Sequence, residues 1–427
     1  MLQCKTKWKK EKLGDLILFL RNGISNEQVD IYTDFPVTRI ETIADGKIDY
    51  NRVGHVKKAP EDYRISQGDI LVSNINSQKH IGKVAIKDDD KVLYHGMNLL
   101  LMRPNEIIDS KFLFYVLNYN KQYFERIASP AVNQSSINQT DMQKMEFIIP
   151  KDKVEQTKIA NILSTCDEVI EKTEETIEKY KQIKAGMMQD LFTRGLDANG
   201  KLRPTYAQNP DLYKYSKELD RHIPKEWDVK PMELVVKRIG DIDHYMPKSV
   251  EDGIPYIMTG DFIGNNDLDF KNAKKISITD YETLSKKIKP EFNDIIIARY
   301  ATVGTIRIVK TNKPFLVSYS CAIIKTDRNL INPDYLAYYI KSDFCQNLMD
   351  LEINASTQKN IGIDTLKTIS VFVPQYNKEQ DDIVKTLNAI ETKIEIEEQY
   401  LNKYKQVKQG LMKRLLTPPA DAEIVEE

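Results

Sequence analysis

Cysteine and histidine carry the most obvious chemistry in this chain, and their spacing gives them none. Cys4, Cys166, Cys321 and Cys345 lie far apart with no CxxC, and His55, His80, His95, His222 and His244 show no metal-ligand spacing. No GxGxxG follows a strand-like run, and no GxxxxGK(S/T) phosphate loop exists. The Pro418-Pro419 pair does not form the (N/D)PP(Y/F) clamp that would grip a flipped base. What remains are donors and acceptors in polar loops that follow strand-like runs. One set is Thr38, Arg39, Ser73, Asn74, Asn76, Lys79, His80, Gln134, Ser135, Ser136 and Asn138. The other is Thr259, Arg299, Tyr300, Thr302, Tyr319, Thr357, Gln358, Lys359 and Asn360. Arg can fork to guanine, Asn and Gln to adenine, and Lys and Ser to phosphate. The same types also build turns, which is the plainer reading of any one of them taken singly. The chain is expected to bind and not to catalyse.

These loops must be held by something, and the longest ordered signal is a duplication. The stretch 150–193 returns at 374–417 without a gap, at a constant offset of about 224 residues, with roughly two-fifths of positions identical. In the first copy Ile159, Leu163, Cys166, Ile170, Ile177, Tyr180, Met187 and Leu191 recur at spacings of three and four. Ile383, Leu387, Ile390, Ile394, Leu401, Tyr404, Leu411 and Leu415 do so in the second. That is the heptad pattern of a helix with one apolar seam. A helix of about forty residues spans roughly 60 Å. A seam that long needs a partner of similar length, and the other copy supplies one. Thr173 and Glu397, and Lys184 and Lys408, interrupt the seam at matching places, where polar residues can fix register.

Ahead of each helix lies a segment of α+β character, 1–149 and 225–373. Strand-like runs fall at 35–43, 46–50, 69–73, 82–86 and 99–103, with a helix over 110–128 and a last strand at 144–149. The second segment repeats this outline with weaker similarity: Trp8 with Trp227, Gly68-Asp-Ile-Leu with Asn293-Asp-Ile-Ile, and Ile81-Gly-Lys with Val303-Gly-Thr. Residues 194–224 read as a connecting loop draped along the first long helix, and 418–427 as an acidic, disordered tail. Net charge is −1, which argues against a uniformly basic surface but leaves room for a local basic groove. The basic N-terminal run lacks the apolar core of a secretory signal, and no apolar run reaches membrane-span length.

The tandem order of domain and helix, the Glu-Gln opening of each helix (Glu155-Gln156, Glu379-Gln380) and its KYKQ(I/V)KxGxMxxL close now count together. So do the (G/N)-D-I-(L/I) strands and the Q-x-x-I loops at Gln134 and Gln358. With these the chain resembles, over nearly its whole length, the specificity subunit of type I restriction–modification systems. The resemblance implies two globular α+β target recognition domains separated by two long helices that pair as an antiparallel coiled coil. Each domain would read one half of a split site in double-stranded DNA, and the coil would set the gap. It implies two methyltransferase subunits as partners and, in the full complex, two restriction subunits; the scattered cysteines, the Lys-, Asn-, Ile- and Tyr-rich composition and the lack of a membrane-length apolar run set the expectation of a bacterial cytoplasm and no membrane. No cofactor is expected on this chain. S-adenosylmethionine belongs to the methyltransferase partner, and ATP and Mg to the restriction partner. Met187, Met188 and Phe192, with Leu411, Met412 and Leu416, widen the apolar face at the helix ends and are the candidate docking surface. Packing on the neighbouring recognition domain is the alternative. The competing functional reading is a two-headed coiled-coil adaptor for protein ligands.

Overall fold

The computed structural model describes residues 7–44, 46–76, 81–131, 134–355 and 360–425. The chain divides into two compact units, Met1–Glu175 with Glu398–Glu427, and Thr176–Glu397.

Each unit is built on a four-stranded antiparallel sheet with the same order. In the first the strands run Val84–Ile86, Ile70–Val72, Leu100–Pro104, Ile17–Asn22. In the second they run Ile306–Ile308, Ile295–Ala298, Cys321–Lys325, Arg238–Gly240. The central strands Ile70–Val72 and Ile295–Ala298 are buried throughout, so they read as continuous apolar runs and not as alternation. The residue ahead of each first central strand has positive φ, Gly68 at 88° and Asn293 at 69°. The following Asp caps the turn: Asp69 accepts from Ser66 N at 2.7 Å and Asp294 from Glu291 N at 2.7 Å. Each carboxylate then pairs with a cation on the neighbouring strand, Arg103 or Lys325. The glycine of the next turn is required by space as well as by φ. A Cβ on Gly82 would come within 2.5 Å of the Phe124 Cβ.

The first strand of each domain lies against its last in the same register, Trp8 opposite Pro150 and Trp227 opposite Pro374. From there the chain enters the long helices Lys153–Leu191 and Asn377–Leu415. The Gln of each Glu-Gln pair explains that motif. Gln156 Oε1 accepts from Asp109 N and its amide donates to Pro150 O; Gln380 does the same with Asn332 N and Pro374 O. Asp109 and Asn332 are the N-caps of the domain helices Ser110–Tyr119 and Pro333–Lys341.

Within each unit the two long-helix segments run antiparallel. In the first, Asp167 meets Lys408 and Glu174 meets Lys405. In the second, Lys184 meets Glu391 and Tyr180 meets Lys393.

Three expectations need correction. The helix expected over 110–128 is two, Ser110–Tyr119 and Lys121–Ile127, because the Asn120 amide turns back to Val116 O and ends the first. The connector is not a loop draped on the long helix. It carries a hairpin, Tyr213–Ser216 with Arg221–Pro224, and sends Leu196 and Ile223 into the second unit's core. The acidic tail is ordered through Val425, since Glu423–Val425 pairs in parallel with Lys7–Lys9.

Candidate nucleic-acid interface

The polar loops sit where the central strands of each sheet end. In the first unit, Ile70–Val72 runs on through Ser73 and Asn74 into Ile75–Asn76, which pairs antiparallel with Gln134–Ser136. The two loops singled out in the sequence are thus brought together, Asn76 opposite Ser135 and Ile75 opposite Ser136. Asn74 is the hinge of this arrangement. Its carbonyl accepts from Ile137 N at 2.9 Å and its amide donates to Ile137 O at 3.4 Å. Ser73 and Asn74 are buried, whereas Ser136 and Asn138 are exposed. Asn138 also caps the short helix Gln139–Gln143 through Asp141 N.

The second unit repeats the device with a different residue. Arg299 occupies the place of Asn74: its carbonyl accepts from Ile361 N and its Nε donates to Ile361 O at 2.9 Å. Its backbone N–H reaches Ser320 O at 2.9 Å, so the loops at 299–302, 318–320 and 360–361 gather around one side chain. Sequence reading makes Arg299 a prime candidate for base contact. In the structure Arg299 is 6% exposed, and its guanidinium is paired with Asp241. The fork that would read guanine is engaged inside the protein.

Asp241, His244 and Lys287 complete this cluster, and sequence reading did not bring them together with Arg299. Lys287 Nζ lies 3.3 Å and His244 Nε2 3.4 Å from the Asp241 carboxylate. Burial works to raise the Asp241 pKa, but Lys287, Arg299 and His244 outweigh it and hold the carboxyl below its usual range. The His244 ring stacks on Tyr319, centroids 5.0 Å apart. The one available signal was an Asp-Ile-Asp-His run just beyond the strand Arg238–Gly240. Beside the cluster the backbone of Ala301 has φ 60°, a left-handed conformation seldom adopted by residues with a Cβ. It presents Thr302 to solvent and leaves Tyr300 half-buried.

The other sequence candidates scatter. Thr38 is buried, and its hydroxyl accepts from Gly96 N at 2.9 Å. Arg39 and Thr259 are half-exposed in turns after the strands Pro36–Val37 and Ile254–Ile257. Asn360 is half-exposed. Lys79, His80, Thr357, Gln358 and Lys359 lie outside the described residues.

The candidate docking residues lie at the seat of the domains. Phe192 is 2% and Leu416 7% exposed. Phe192 belongs to the core of the second unit and Leu416 to that of the first, while Met187, Met188, Leu411 and Met412 are partly buried against them. The widened apolar face of each helix end thus lies against the core of its own unit. Among the described residues no group of His, Cys, Asp and Glu could hold a metal ion, and no helix is long and apolar enough to cross a membrane.

The type I restriction modification DNA specificity domain model matches the chain twice, at residues 5–182 and 224–406. A protein of Methanocaldococcus jannaschii that carries the name MjaX type I restriction enzyme specificity subunit is 32% identical over 429 residues, covering 96% of this chain and 93% of its own. The MjaVIII specificity subunit of the same organism is 22% identical, covering 96% and 92%. The crystal structure of a type I restriction–modification S subunit from M. genitalium has a similar fold, with TM-score 0.61 at 17% identity over 98% of this chain and 99% of that one.

Proposed function

The chain belongs to the type I restriction–modification DNA specificity family, and from that premise we propose how its two domains divide the work. It is a specificity subunit, the member that selects DNA, and not the catalytic one. Each domain reads one half of a bipartite site in double-stranded DNA, and the antiparallel helices fix the gap. The observation that carries this is the pairing of sameness and difference. Sheet order, Trp–Pro register and the Gln clamp are repeated, while the loop hinge is Asn74 in one domain and Arg299 in the other. Two domains with one frame and different loops suit two different half-sites. To Ser136 and Asn138 in the first, and Thr302 with Tyr300 in the second, we assign the DNA contacts, on the exposure of Ser136, Asn138 and Thr302 beside the loop hinges.

Two methyltransferase subunits dock on the helices, each bringing S-adenosylmethionine, and two restriction subunits with ATP and Mg complete the assembly. Docking uses the outward faces of the helices. Ile183 and Val407 stand at equivalent places in the duplication and are 41% and 48% exposed, so the same apolar contact is offered twice. The test is to co-express the chain with its methyltransferase and measure the mass of the purified complex. Two methyltransferases per chain are expected, falling to none with Ile183→Glu and Val407→Glu together. One copy per chain would overturn the reading of two equivalent sites.

A further inference from the structure

Two clusters of the same composition lie where a domain helix meets the long helices. In the first unit, Tyr115 on the helix Ser110–Tyr119 donates its hydroxyl to Asp167 at 2.6 Å. Asp167 stands on the first long helix and pairs with Lys408 of the second. The Lys408 ammonium also lies 5.7 Å from the Tyr115 ring centre. In the second unit, Tyr338 on the helix Pro333–Lys341 donates to Glu391 at 2.6 Å. Glu391 stands on the second long helix and pairs with Lys184 of the first at 3.1 Å, and Lys184 again lies 5.7 Å from the tyrosine ring. Lys184 and Lys408 are the matching polar breaks in the two apolar seams, and Asp167 and Glu391 are likewise equivalent positions of the duplication.

We propose that these two Tyr–carboxylate–Lys clusters are positioning residues for spacing specificity, each fixing the angle at which a recognition domain is held on the helix pair. The inference rests on the reading that the helices set the gap between half-sites. Three separately anchored elements meet in each cluster. The tyrosine belongs to the domain core, with Tyr115 4% and Tyr338 7% exposed. The acid belongs to the domain's own long helix, and the lysine to the other one. Apolar packing alone is non-directional and tolerates small rotations. A short hydrogen bond to a carboxylate is directional and stronger than a neutral one. The second cluster is the more sheltered: the Lys184 and Glu391 side chains are 19% and 14% exposed, those of Lys408 and Asp167 25% and 31%. Burial works to raise the Glu391 pKa, but the Tyr338 hydroxyl and Lys184 outweigh it and hold the acid ionised.

One extra base pair moves a half-site by about 3.4 Å and turns it by about 34°. A domain held at a fixed angle cannot follow it. A domain seated by packing alone can follow part of the way.

The experiment uses the complex with its methyltransferase. Sequencing of methylated adenines first gives the site. Methylation kcat/KM is then measured on duplexes with the natural spacer and with one base pair more or less. Tyr115→Phe with Tyr338→Phe keeps both rings and removes only the directional bonds. We expect the preference for the natural spacer to fall about tenfold while the rate on the natural site falls less than threefold. Lys184→Met with Lys408→Met should act in the same direction, and Lys184→Arg with Lys408→Arg should restore the preference. A merely structural role would lower all rates in parallel, and that result, or an unchanged preference, would overturn the proposal. Equal rates on all spacers in the unmodified complex would instead sink the spacing reading, and this inference with it.

Discussion

The two domains share a frame but close their bases differently. Under the second domain, Glu379 is buried and gathers four donors: Leu196 N at 2.9 Å, the Arg203 guanidinium at 2.6 and 3.0 Å, and the Trp227 indole at 3.0 Å. Leu196 and Arg203 come from the connector that follows the first long helix. Under the first domain the equivalent acid, Glu155, is half-exposed, and the Trp8 indole nitrogen is buried with no partner among the described residues. There the chain following the second long helix passes as a strand beside Lys7–Lys9. The duplication therefore copied the helix and its Glu-Gln pair. The segment after the helix decides whether the Glu becomes a buried hub. Identical residues in a repeat do not imply identical roles.

This difference can be broken directly, because each unit holds one tryptophan. Chains carrying Trp8→Phe or Trp227→Phe report one unit each by fluorescence. Glu379→Ala leaves the Arg203 side chain, 6% exposed, without its main acid and the Trp227 N–H without an acceptor. We expect the second unit to lose about 3–5 kcal/mol in urea unfolding. Glu155→Ala should cost the first unit no more than about 0.5 kcal/mol. Equal losses would mean that the base of the first domain is closed by a hub of its own.

Acid should distinguish the units in the opposite sense. His95 is fully buried in the first unit. Its Nε2 lies 3.0 Å from Leu99 O, while its Nδ1 has no partner among the described residues. Burial pushes its pKa down to about 4. The folded pKa lies below the unfolded one, near 6.5, so protonation favours the unfolded chain. The neutral ring's contribution is complete above pH 6.5 and is lost as pH falls through 4. By pH 5 the first unit should have lost about 2 kcal/mol from this group. His222 and His244 in the second unit are not buried. His95→Gln should flatten the pH dependence of the Trp8 signal between pH 6.5 and 5 and leave that of Trp227 unchanged.

The helices are legible in the sequence because a seam is a local pattern, and each copy carries it whole. The frame of the domains is legible for a similar reason: Gly68-Asp and Asn293-Asp each encode a turn and the strand it starts. The site is not. A polar residue in a loop has the same letter whether it points out or in, and the partner that turns Arg299 inward, Asp241, is 58 residues away in the chain. The tail misleads for the converse reason. Its acidic composition reads as disorder, yet Glu423 faces Lys7 at 4.0 Å and the strand pairs through its backbone, which composition does not record.

Arg299 and Asn74 give the finest comparison, the same hinge built from unlike side chains. Arg299→Ala removes the Nε bond to Ile361 O and the guanidinium on Asp241, which keeps Lys287 and His244. The loop at 360–361 is then held to residue 299 by its backbone bond alone. We expect Kd for the cognate duplex to rise about tenfold, about 1.4 kcal/mol. Asn74→Ala removes one long bond of 3.4 Å and leaves the 2.9 Å backbone bond to Ile137, so a rise of about twofold is expected. The salt dependence separates positioning from contact. A cation on phosphate would reduce the slope of log Kd against log salt by about one when removed, and a cation on guanine would relax the sequence preference at one position. For a hinge that touches neither, the slope and the preferred sequence both stay as they are while affinity falls. A changed slope for Arg299→Ala would show that the guanidinium leaves Asp241 when DNA arrives.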